Sequence, residues 1–120
     1  MARLTDAETL EKFHYALRQW QCTGYITWKP IAIEWIERNL EGFTARSIAE
    51  EMFLYFSAGG EIDQVPETRP QWSEHGFHYD FRIEIDGRLR YIETILVEDV
   101  PDDPIIYVVS IHDAGENDTD

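Results

Sequence analysis

Apolar side chains recur every three or four residues as far as Ala58 and then every second residue beyond Gly60, which predicts helices followed by strands. Thr5-Asp6-Ala7-Glu8 fits a capping box with Thr5 as the cap. Behind it Ala7, Leu10, Phe13, Leu17 and Trp20 form one stripe that Gly24 is placed to end. His14 and Tyr15 flank that stripe. Pro30 suits the first position of a second helix, where its missing N–H has no intrahelical partner to lose. Ile33, Ile36 and Leu40 line that helix, and Glu41-Gly42 closes it. Thr44 caps a third helix with Ile48, Met52, Phe53 and Phe56 inward, and Ala58-Gly59-Gly60 stops it.

From Glu61 the period falls to two. Glu61 to Val65 reads as a short strand at a sheet edge, because Pro66 cannot donate to a ladder, and Pro66 to Gly76 reads as a loop. Phe77, Tyr79, Phe81, Ile83 and Ile85 alternate with His78, Asp80, Arg82 and Glu84, which predicts a strand with one core face and one wet face. Asp86-Gly87 supplies the positive φ of a hairpin and Leu89 to Val97 returns. A two-residue turn and a three-residue turn with a glycine bulge imply different registers, and the sequence leaves both open. Pro101 to Pro104 makes a second turn. Ile105 to Ile111 is apolar on both faces, the mark of a central strand. The expectation is an α+β domain over residues 1–115, about three N-terminal helices packed on a C-terminal antiparallel sheet of about four strands. Residues 116–120 are expected to form a disordered acidic tail.

Composition narrows the setting. The chain has 120 residues, 43% of them hydrophobic and 13% aromatic, enough to bury a core without a metal or a disulfide. Cys22 is the single cysteine, charge appears too early for a signal peptide, and no run reaches the roughly 18 apolar residues of a membrane span, so a cytoplasmic setting is expected. The net charge of −14 comes from 24 acidic and 10 basic side chains. No Lys or Arg follows Arg90, whereas acids crowd the C-terminus. Such a field repels phosphate backbones and favours a basic protein partner over nucleic acid.

Candidate chemistry is sparse. No P-loop, dinucleotide fingerprint, nucleophile elbow or Cys-x-x-Cys occurs, so no cofactor is expected. His75 and His78, with Asp80 nearby, have a spacing that could hold a metal, but no thiolate lies near them in sequence and strand geometry points them to opposite faces, so no metal site is expected. Cys22 and His14 lie too far apart along one helix to act as nucleophile and base, and Cys22 is read as a buried, inert thiol. Trp20, Tyr25, Trp28 and Trp72 form the candidate binding set, since aromatics rimmed by acids suit a protein interface.

Ala58-Gly59-Gly60-Glu61-Ile62, Tyr79-Asp80-Phe81-Arg82, Asp86-Gly87-Arg88 with Tyr91, and Ile105 to His112 together give an order of elements that resembles a family of small bacterial domains related to RelE-type toxins, with the barnase–EndoU–colicin–RelE fold. The resemblance runs from about Ile31 to His112. That family's helix starts His-Ala-x-x-Arg, where this chain has Ile31-Ala32-Ile33-Glu34-Trp35. The resemblance implies a RelE-like fold, and for a nuclease it implies Arg82, Arg88, Arg90, Tyr91 and His112 as the catalytic set, with arginine stabilising charge and histidine moving a proton. The bland alternative is that Arg82 and Arg90 pair across strands with Glu84 and Glu93. The two readings carried forward are a non-enzymatic acidic protein-interaction module, accessory or antitoxin-like, and a divergent RelE-like endoribonuclease.

Overall fold

A six-stranded sheet organises the chain in the computed structural model, which describes residues 2–98 and 103–114. In sequence order its elements are β1 (Ala2–Arg3), α1 (Ala7–Arg18), β2 (Ile26–Trp28), α2 (Pro30–Asn39), α3 (Ala45–Ser57), β3 (Ile62–Pro66), a 3-10 segment at Pro70–His75, β4 (Phe77–Ile85), β5 (Arg88–Glu98) and β6 (Ile105–Asp113). The sheet order is β1-β3-β4-β5-β6-β2, with every pairing antiparallel except β2 with β6. The α+β class and the three helices agree with the sequence, but six strands form rather than about four. Strands β1 and β2 are too short to show a period, and they exist because the sheet offers them a hydrogen-bonding edge.

Local signals explain most boundaries. The first helix is capped one residue later than its sequence suggested: Asp6, not Thr5, accepts from Thr9 N–H at 2.9 Å. The helix ends at Arg18, well before Gly24. Pro30 stands at the start of α2, and Thr44 and Ser47 exchange bonds in a capping box on α3. Strand β3 is flanked by β1 through Gln64 and Asp63, so it is not itself the sheet edge; Pro66 lies beyond that contact and pairs with Phe77 on the other side. Ile85 pairs with Arg88, which makes Asp86-Gly87 a two-residue turn with φ of 56° and 82°. That choice fixes every pairing along β4 and β5. The turn expected at residues 101–104 and the tail expected at 116–120 fall largely or wholly outside the described residues.

The three helices cover one face of the sheet. Phe13, Leu17, Ile36, Ile48, Met52, Phe81, Ile92 and Ile106 are each fully buried in one cluster between the layers, each contributing about 1.5–3 kcal/mol by leaving water. Tyr79, Ile83 and Ile85 continue that face along β4. The opposite face carries His78, Asp80 and Arg82 from β4 and, by cross-strand register, Tyr91 and Glu93 from β5 and Ser110 and His112 from β6. The 66–76 connection folds over one end of that second face, where Trp72 packs on Tyr107 at 5.9 Å between ring centroids.

Candidate functional site

On the face away from the helices, strand register sets a row of polar side chains side by side. Arg82 pairs with Tyr91, Tyr91 with His112, Asp80 with Glu93, and Glu93 with Ser110. The Tyr91 ring lies between two neighbours: Arg82 sits over it at 5.4 Å, and His112 stacks on it at 5.0 Å. Its hydroxyl donates to the fully buried carboxylate of Asp80. On its other oxygen Asp80 meets His78 Nδ1 at 2.9 Å. With Asp80 ionised, a carboxylate can only accept, so Nδ1 carries the proton of that bond.

The connection after β3 completes the row. Glu67, its side chain 1% exposed, is gripped by Arg69 through Nε and Nη2 at 2.9 Å each and through its backbone N–H at 3.0 Å. Arg69 also reaches Glu93, and Glu93 stands 3.8 Å from His78. The segment is tied down where Glu67 N–H donates to the carbonyl of Gly76. Glu67, Arg69, Glu93, His78, Asp80 and Tyr91 are thus one connected network under partial cover.

Burial and bonding tune these groups in opposite directions. The bidentate hydrogen bonds from Arg69 hold the Glu67 carboxyl down at about 2, and the same contact raises the arginine. Desolvation pushes Asp80 above the usual carboxylate range, against the hydrogen bonds from Tyr91 and His78 that pull it down. Desolvation, then the bond to Asp80, pushes the Tyr91 phenol up. A carboxyl raised by burial beside a phenol and two imidazoles is an arrangement able to hold and move protons.

Of the sequence-derived set Arg82, Arg88, Arg90, Tyr91 and His112, the structure gathers three. Arg90 alternates with Tyr91 and therefore enters the opposite, helix-covered face, where it is 4% exposed, bonds the carbonyl of Ile85 and Asp113, and lies over Trp35 at 5.6 Å. Arg88 is exposed at the hairpin, 3.4 Å from Asp113. Instead of the expected cross-strand partners, Arg82 stands 3.6 Å from Asp63 on β3, and Arg90, turned to the other face, reaches Asp113. Strand alternation places His78, Asp80 and Arg82 together from sequence. Glu93 joins them through the β4–β5 register, and Glu67 and Arg69 were missed because they depend on how the 66–76 connection folds back.

The candidate binding set divides as well. Trp20 and Trp28 line an open groove of about 420 Å³ with Cys22, Ile26, Ile33 and Arg46. Tyr25 packs beside it on Tyr15 at 6.0 Å, whereas Trp72 lies across the sheet on Tyr107. Arg46, not an acid, is the charged side chain lining the groove, bonded to the carbonyl of Gln21; Glu37 and Glu50 lie one helical turn beyond Ile33 and Arg46. Cys22 is exposed rather than buried, because it falls in the turn after α1, and His14 is engaged with Phe56.

The groove runs along β2, an outer strand of the sheet. Tyr25 carbonyl accepts from Ile106 N–H, and Lys29 N–H donates to Val108 carbonyl, each at 2.9 Å. Residues 25, 27 and 29 therefore turn their peptide groups toward β6, and Ile26 and Trp28 turn theirs to the open edge.

Comparison with protein-family models, with curated proteins and with solved structures finds no match for this chain. Among the described residues no helix is long and apolar enough to cross a membrane.

Proposed function

We propose that the protein is an interaction module that binds an extended segment of a basic partner protein along β2, in the accessory or antitoxin-like manner of a domain without chemistry of its own. The observation that carries this reading is the open edge of β2 running beside an aromatic groove. Peptide groups of Ile26 and Trp28 face outward, and Trp20, Trp28 and Ile33 offer apolar surface next to them. An added strand gains affinity from main-chain hydrogen bonds and specificity from alternate side chains seated in such a groove. Basic residues flanking the segment meet Glu37 and Glu50, within the field of a chain of net charge −14. Capture from host lysate should retrieve a basic protein that elutes as salt rises. Trp20→Ala, which empties the groove, and Ile26→Pro, which removes an outward N–H without touching the β2–β6 ladder, should each lose it. Retention by both folded variants would refute strand addition at this edge.

A second reading, a RelE-like endoribonuclease, is supported by the adjacency of Arg82, Tyr91 and His112. Arginine over a phenol beside an imidazole could hold a phosphodiester and shuttle its proton. Asp63, Asp80 and Glu93 on the same face oppose an RNA backbone, which is why the binding reading stands first. The nuclease reading requires RNA cleavage by the purified chain that Arg82→Ala and His112→Ala abolish, and it fails if the wild type leaves RNA intact.

A further inference from the structure

We infer that Glu67, His78 and Glu93 form a binding site for one divalent transition-metal ion of the zinc class. One ligand atom from each side chain lies within 4.8 Å of the others. Ligands bound to tetrahedral zinc at about 2.0–2.2 Å lie about 3.3–3.6 Å apart, so the three side chains close on an ion by rotations that move their ligand atoms by about 1 Å. The donor set of one imidazole and two carboxylates suits zinc or manganese better than magnesium or calcium, which take oxygen alone.

Three features support the site beyond its spacing. Each ligand is held on a paired or tied backbone: His78 on β4 opposite Val65, Glu93 on β5 opposite Asp80, and Glu67 by its bond to Gly76. The buried Asp80 carboxylate accepts from His78 Nδ1, the nitrogen 3.8 Å from Glu93, so an ion would take Nε2, as in metal-binding imidazoles whose other nitrogen is held by an outer carboxylate. A cation also already bridges two of the ligands. Glu67 and Glu93 are largely buried, and the Arg69 guanidinium reaches both. Arg69 holds a positive charge where the ion would sit. Its side chain is a third exposed, so it can turn to solvent when an ion takes over its carboxylates.

His75, the neighbour that spacing alone suggests, stays outside the group. It contacts Glu74 and the Trp72 ring.

Isothermal titration of the chelator-treated full chain with Zn²⁺ tests the site. The expected result is one ion per chain with a Kd of ~10 µM or tighter, weakened at least ~10-fold by Glu93→Gln, Glu67→Gln or His78→Ala and unchanged by His75→Ala. Arg69→Ala should bind more tightly, because it removes the competing cation. Glu93→Gln and Glu67→Gln are nearly isosteric, so they remain informative if His78→Ala does not fold. No uptake at ~100 µM Zn²⁺, binding that survives both glutamine variants, binding that depends on His75, or weaker binding by Arg69→Ala would each overturn the assignment.

Discussion

Glu67 shows how much one residue's chemistry can depend on a neighbour two positions away. Arg69 grips it bidentately in a nearly closed pocket and holds its carboxyl at about 2, against about 4.3 for an unfolded glutamate. A carboxyl depressed on folding adds stability that is complete above the unfolded value and is lost as pH falls toward the folded one. In chelator, Glu67→Gln should therefore cost on the order of 2–3 kcal/mol at neutral pH. It should also flatten the decline in stability between about pH 5 and pH 2, as read by urea unfolding across that range. Equal costs at pH 7 and pH 2 would contradict this account. Nothing in Glu67-Thr68-Arg69 signals such a contact, because exposed pairs of this kind contribute little and only burial makes this one matter. His78, Asp80 and Arg82 were different: strand alternation alone put them on one face.

At the level of elements, tight signals translated directly and weak ones did not. Asp86-Gly87, Pro30 and Thr44 each act within a few residues, and each stands where its local geometry demands. Gly59-Gly60 was legible as a stop, but the reason for Gly60 was not. A Cβ there would meet the Tyr55 ring at 2.5 Å, and that ring is pinned by its hydroxyl's 2.6 Å bond to the carbonyl of Glu61 and by packing on Phe81. Gly60→Ala should cost about 1–3 kcal/mol in equilibrium unfolding, and pairing it with Tyr55→Ala should remove most of that increment. Purely additive losses would show that the clash is relieved elsewhere. The β5–β6 ladder carries register shifts after Glu93 and after Leu96. These shifts leave Glu93 opposite Ser110 while re-aiming the residues beyond, and no periodicity in Ile105 to Ile111 announces them.

Across the whole molecule, charge and surface aromatics were read from sequence as one feature and the fold separates them. The acids that give a net charge of −14 are spread over helices, hairpin and C-terminus, while Trp20 and Trp28 meet in a groove lined by Arg46. Trp72 goes to the far face, where with Tyr107 it covers part of the sheet that the helices leave bare. By itself the sequence determined the α+β class, the three helices, the central hairpin and the two-faced character of β4, because each rests on periodicity or turn chemistry within about ten residues. Tertiary structure alone decided that Ala2–Arg3 and Ile26–Trp28 become strands, that Arg90 turns inward while Arg82 meets Tyr91 and His112, and that Glu67 and Glu93 converge on His78. Those outcomes depend on which strands share an edge and how a connection folds over a face, and pairing between distant segments leaves no local pattern in a chain.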